Sequence, residues 1–261
     1  MTASPAGGAE GAVPGPAPLV AVAHGSRDPR AEAVVRELAA RAAAGRRGLR
    51  VRAAFLDHTA PSLPEALAAL AAEGAGEAVV VPLLLTAAYH SAVDIPRALA
   101  GVREELPWLR VRTAPVLGPH PAFTRVLGDR LAAAGAHPDP GTAVVLAAAG
   151  SADPAANAAV ARVARDWAAR GEGWHSVVPA YASAAAPTPA EAVRERLAAG
   201  AARVAVATYL LAPGLFADRV RRDALSAGAY AVSPVLGADP RIAGVVVHRY
   251  STALREPAVR G

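Results

Sequence analysis

Cysteine and lysine are both missing from this 261-residue chain, and aromatic residues make up only 4% of it. Without cysteine there are no disulfides, thiolate metal sites, iron–sulfur clusters or cysteine nucleophiles. Any metal must be held by His, Asp or Glu, donors that suit borderline and six-coordinate divalent ions. With few aromatics but 53% hydrophobic residues, the core has to be built from small side chains, in one large domain or two small ones. No uncharged apolar run approaches the ~20 residues needed to span a bilayer. Residues 2–17, dominated by Ala, Gly and Pro, lack the basic start and apolar centre of a signal peptide. The expectation is a soluble, cytoplasmic protein with no membrane association and a disordered tail over residues 1–17.

All 27 basic residues are arginines, set against 22 acidic residues for a net charge of +5. No arginine-rich tract or aromatic-interleaved basic face stands out, so nucleic acid is not an expected partner. An arginine surplus does suit an anionic small molecule, because guanidinium groups pair bidentately with carboxylates.

What is present begins with Pro18 to Pro29, PLVAVAHGSRDP. Leu19 to Ala23 has the length and continuity of a strand buried on both faces. It stops at His24-Gly25-Ser26-Arg27, and Asp28-Pro29 then opens a helix to about Ala44, with Asp28 as its cap. Further strands are expected over Leu49 to Leu56, Ala78 to Leu85 and Val111 to Val116. Pro61-Ser62-Leu63-Pro64 and Asp94-Ile95-Pro96 start the intervening helices, the second with Asp94 as cap. Strands alternating with helices of this length indicate right-handed βαβ units and a parallel sheet. Ligands collect beyond the carboxyl ends of such strands, where His24, Asp57-His58 and His90 all fall.

The series then repeats. Ala149-Gly150-Ser151-Ala152-Asp153-Pro154 matches His24 to Pro29 at an offset of 125 residues, and Pro187-Thr188-Pro189 echoes Pro61-Ser62-Leu63 at 126. Leu210-Leu211 answers Leu84-Leu85, and Pro234-Val235-Leu236-Gly237 answers Pro115 to Gly118. The chain therefore reads as two similar α/β lobes, 18–136 and 137–261, each with a mostly parallel sheet flanked by helices. Facing lobes would leave a cleft between them. The repeat is also an internal control. His24 corresponds to Ala149, His90 to Phe216, and Asp57-His58 to Ser183-Ala184. The second copy has lost these polar groups together while keeping its turns and strands. The chemistry is thus expected in the first lobe, with the second as wall and lid. Two imidazoles and a carboxylate make a site for Fe²⁺, Co²⁺, Ni²⁺ or Zn²⁺. His120, His137, His175 and His248 follow no such pattern and read as structural or solvated. One alternative is that His24 to Arg27 is a phosphate-gripping turn of a hydrolase.

His24-Gly25-Ser26-Arg27, Phe55-Leu56-Asp57, Pro82 to Leu85 and Tyr89-His90-Ser91-Ala92-Val93-Asp94-Ile95-Pro96 together resemble the sirohydrochlorin chelatase family. These class II chelatases insert Fe²⁺ or Co²⁺ into a tetrapyrrole in sirohaem and cobalamin biosynthesis. The resemblance is strong over Leu19 to Pro121 and weaker over the second half. It implies flavodoxin-like, chelatase-like lobes and a ferrochelatase or cobaltochelatase activity. It also implies His24 and His90 as the catalytic, metal-holding pair. Asp57 stands where relatives often carry a glutamate, with His58 as its neighbour. Ser26, Arg27 and Tyr89 are expected at the substrate. The divalent metal is a substrate, no tightly bound organic cofactor is implied, and no protein partner is identified. A non-catalytic tetrapyrrole or metal carrier is the other class that keeps the same residues.

Overall fold

The computed structural model describes residues 15–86 and 93–255, and residues 1–14 of the expected 1–17 tail lie outside them. The first half runs β1 (Leu19–Ala23), α1 (Pro29–Ala44), β2 (Val51–Phe55), α2 (Leu63–Ala72), β3 (Glu77–Pro82), α3 (Ile95–Glu105), β4 (Arg110–Thr113) and α4 (Pro121–Ala133). The second runs β5 (Thr142–Ala148), α5 (Pro154–Ala169), β6 (Ser176–Tyr181), α6 (Pro189–Ala198), β7 (Arg203–Tyr209), α7 (Leu215–Ser226), β8 (Ala231–Val232) and α8 (Pro240–Arg255). Each half forms a four-stranded parallel sheet, ordered β2-β1-β3-β4 and β6-β5-β7-β8. β1 and β5 are central and buried throughout, which is why they read as continuous apolar runs. The chain leaves β1 to one side for β2 and crosses to the other for β3. The carboxyl end of β1 is therefore the point where strand order reverses, the usual ligand crevice of an open α/β sheet.

The expected cap of α1 is present: Asp28 is extended and its carboxylate accepts from Arg30 N at 2.9 Å. α2 and α6 begin with matching capping boxes, Ser62 with Glu65 and Thr188 with Glu191. β3 ends at Pro82, three residues before the expected Leu85, because proline has no N–H to continue the ladder. Asp94 does not cap α3. Its backbone is already helical, in a π-type turn with Val93, so its carboxylate makes no hydrogen bond to the first turn of the helix.

The last helices of the two halves are exchanged. α4 packs on β7 of the second sheet, while α8 packs on α1, β3 and β4 of the first. Arg249 donates to Leu117 O and the Tyr250 hydroxyl donates to Ala17 O at 2.6 Å, anchoring α8 to the first half. Arg130 on α4 donates to Leu236 O in return. One hydrophobic cluster consequently contains Leu19 and Val79 of the first sheet, Val144 and Ala205 of the second, and residues of α1, α4, α5 and α8. Separate clusters lie under α2 and α3 and under α6. The shared core couples the halves, so the cleft at their strand ends has two firmly joined walls.

Candidate active site

Two turns carry the described part of the site. Gly25, at φ 96°, bends the chain at the end of β1 so closely over the β2 turn that a Cβ there would overlap the Asp57 carbonyl. Only glycine fits that approach. Asp57 N donates to His24 O at 2.9 Å, and Thr59 Oγ1 donates to Ser26 O at 3.1 Å. His58 follows in the left-handed region at φ 61°, its N–H bonded to the Asp57 carboxylate at 2.7 Å. The second half repeats this frame. A Cβ on Gly150 would overlap Ser183 O, Ser183 N donates to Ala149 O at 2.9 Å, and Ala184 has φ 57°. The backbone of both turns is scaffold, and the side chains it presents differ.

His24 is exposed and lines two adjoining spaces. One, of 310 Å³, is shared with Asp57, Ser62, Asp94 and Arg97. The other, of 840 Å³, opens between the halves. It runs from Gly25, Ser26, Arg27 and His58 on one side to Leu210–Asp218 on the other. A third cavity of 640 Å³ continues past Leu210, Leu211 and Phe216 into the strand ends of the second sheet. The structure thus brings His24, Asp57, Ser26 and Arg27 to one edge. His90 and Tyr89 lie outside the described residues. Among the described residues no three His, Asp or Glu side chains converge as a metal-binding group.

The Asp57 carboxylate turns back on its neighbour, 3.3 Å from His58 Nδ1. His58 in turn meets His24 edge-to-face, with ring centroids 6.5 Å apart. The Ser26 hydroxyl accepts from Asp28 N at 3.0 Å, just as Ser151 does from Asp153 N at 3.0 Å. Arg27 is exposed on the cleft and, like Arg97, makes no ion pair among the described residues. Arg30 is committed instead. Its guanidinium joins Asp28 to Asp218 across the cleft, each at 2.6 Å, and the three-way contact lowers the acidity of Arg30 and holds the Asp28 carboxyl below its ordinary value. The phosphate-turn alternative loses its donors here. Ser26 N goes to Thr59 Oγ1, Asp28 N to Ser26 Oγ and Arg30 N to Asp28, whose carboxylate would repel an anion.

Arg97 and Asp94 join His24 in one cavity; the sequence suggests for Asp94 a helix cap and, beside it, a role orienting His90, and gives Arg97 no place there. The Asp94-Ile95-Pro96-Arg97 spacing, three apart at a helix start, was the available signal. The remaining histidines are structural or solvated. His120 Nδ1 accepts from Ala122 N at 3.1 Å and caps α4, and His175 Nδ1 sits 3.1 Å from Pro140 O.

A family model described as CbiX matches residues 18–134 and again residues 143–253. The chain belongs to the CbiX family. The double match repeats the two halves of the structure, and the resemblance read from the sequence holds at the level of the family. Among curated relatives is a sirohydrochlorin cobaltochelatase of Priestia megaterium, 29% identical over 204 residues, which are 76% of this chain and 65% of that protein. This chain therefore spans just under two thirds of that relative's length. A sirohydrochlorin ferrochelatase of the same organism is 26% identical over 204 residues, 77% of this chain and 76% of the relative. Among solved structures, SirB from Bacillus subtilis with Fe³⁺ superimposes with a TM-score of 0.77 at 21% identity, covering 91% of this chain and 95% of that one. That likeness establishes the CbiX-type fold of two joined α/β lobes. Among the described residues, no helix is long and apolar enough to cross a membrane.

Proposed function

We propose that this CbiX-family chain is a sirohydrochlorin chelatase, a lyase of sirohaem or cobalamin biosynthesis that takes Fe²⁺ first and Co²⁺ next. The observation that carries the reading is His24 at the strand-order reversal of the first sheet, facing a cleft of 840 Å³ whose far wall is mainly apolar. The matching position in the second sheet holds Ala149, so the imidazole is separable from the fold. The named relatives, one for cobalt and one for iron, support the reaction class and both metals.

Metal insertion removes two pyrrole N–H protons as one divalent ion enters, leaving the charge of the macrocycle unchanged. Neutral imidazoles near pH 7 serve as ligands that release the ion and as acceptors for those protons. His24 and His90 are the proposed pair, with Asp57 as an oxygen donor beside them. Nitrogen and oxygen donors hold such ions less tightly than thiolates, which suits a metal that must move on. Arg27 and Arg97, which make no ion pair among the described residues, line the spaces beside His24 and are proposed to meet the peripheral carboxylates of the substrate, with Ser26 and Tyr89 as further contacts.

The test is anaerobic insertion of Fe²⁺ and Co²⁺ into sirohydrochlorin, followed by absorbance. His24→Ala and His90→Ala should each cut the rate by at least ~100-fold, the scale of losing one general base or ligand, with an unchanged thermal midpoint. Full activity in the double variant overturns the proposal. Stoichiometric binding of metal or macrocycle without conversion in the unaltered protein replaces it with the carrier reading.

A further inference from the structure

The second half has not simply decayed where it lost its imidazoles. This chain contains three phenylalanines, and Phe55 and Phe123 are 1% and 0% exposed, as expected of so large an apolar side chain. Phe216, in the place corresponding to His90, is 41% exposed, and its neighbour Leu215 is 70% exposed. Both begin α7 and line the cleft opposite His24 and Arg27. Leu210 and Leu211 extend the same wall into the next cavity. A degenerate site with no remaining task would be expected to collapse and bury its new phenyl ring. Instead a contiguous apolar face stands open in a cleft with charge on its other side, the mark of a ligand surface.

The wall is also held in place. Gly214, at φ 149°, turns the chain into α7, and Asp218 one turn later is bound by Arg30 from the opposite wall at 2.6 Å. The two faces are thereby also bridged by a contact at the mouth of the cleft. An aromatic face opposite a histidine, with the exposed Arg27 at the rim, suits a flat conjugated molecule bearing carboxylates at its edge.

We infer that Phe216, backed by Leu215, is a positioning residue that stacks on the macrocycle and presses its open face toward His24. The inference rests on the sirohydrochlorin reading above. The second half thus replaces a metal ligand with a substrate platform, and macrocycle affinity depends on it while metal affinity does not.

The experiment compares Phe216→Ala, Phe216→Tyr and the unaltered protein. It follows binding of metal-free sirohydrochlorin by fluorescence quenching and insertion kinetics under anaerobic conditions. Phe216→Ala should raise the Kd and KM for sirohydrochlorin about tenfold, equivalent to ~1.4 kcal/mol. Its kcat and its KM for Co²⁺ should stay near the original values, and Phe216→Tyr should restore binding. Unchanged affinity in Phe216→Ala overturns the inference. So does an equal loss of kcat and thermal stability, which marks a structural residue, or a dimer that Phe216→Ala dissociates, which marks an interface. If the unaltered protein binds the macrocycle without metallating it, the parent reading fails while the Phe216 comparison still decides the platform. If it does not bind the macrocycle at all, both fail.

Discussion

The turn after β1 and the turn after β5 are nearly the same object with different contents. Both carry a left-handed glycine pressed against a carbonyl, a serine hydroxyl that accepts from the capping aspartate's N–H, and a left-handed residue on the facing loop. One follows its strand with His24 and faces Asp57-His58, the other follows with Ala149 and faces Ser183-Ala184. The comparison separates frame from chemistry. What both halves keep is what the fold requires, and what only one half keeps is the candidate for function.

The strongest way to break this equivalence is at the glycines. Gly25→Ala and Gly150→Ala should each cost about 3 kcal/mol in urea unfolding, from a left-handed backbone and a clash with fixed main chain. A tolerated substitution in one half alone would show that the frames differ.

The exchanged helices sharpen the comparison through their caps. α4 is capped by the His120 ring and α8 by Asp239, which accepts from Arg241 N at 2.9 Å. Burial, followed by the nearby charges of Arg249, His248 and Arg125, holds the His120 pKa below the ordinary imidazole value. The folded protein therefore resists protonating His120 more than the unfolded chain does. Its contribution is complete above the ordinary value of 6.5 and is lost as pH falls through that value toward the folded one. Asp239, lowered chiefly by its bonds to Arg241, keeps its cap until the pH falls below the ordinary carboxylate range. His120→Asp should thus flatten the fall in stability between neutral and mildly acidic pH. An unaltered pH profile would contradict the assignment of that cap.

Smaller and symmetric effects are expected at the capping boxes. Ser62→Ala and Thr188→Ala should each destabilise by roughly 1 kcal/mol or less in equilibrium unfolding. Smallest of all is the exposed Arg30–Asp218 contact, where Asp218→Ala should leave the thermal midpoint unchanged at high salt, because such pairs are screened.

Much of the frame was legible because it rests on local patterns. The apolar run of β1, the Asp28-Pro29 start and the Ala44 end of α1, and the repeat itself all appear in the structure where the spacing puts them. The helix exchange was not legible, since the apolar stripes of α4 and α8 would fit either sheet equally well. Asp94 was misread as a cap because nothing in Asp-Ile-Pro reveals that its own backbone is already helical. Phe216 could be matched to His90 by position, but its exposure depends on the opposite wall, which local sequence does not contain.

We propose that, of the two matched turns, only the one after β1 carries the chemistry. The direct measurement is the anaerobic initial rate of sirohydrochlorin metallation by the unaltered protein, His24→Ala and Ser183→Ala, each checked for thermal midpoint. The expected result is a fall of at least ~100-fold for His24→Ala and little change for Ser183→Ala, with all three folded. A His24→Ala variant that metallates as fast as the unaltered protein would contradict it.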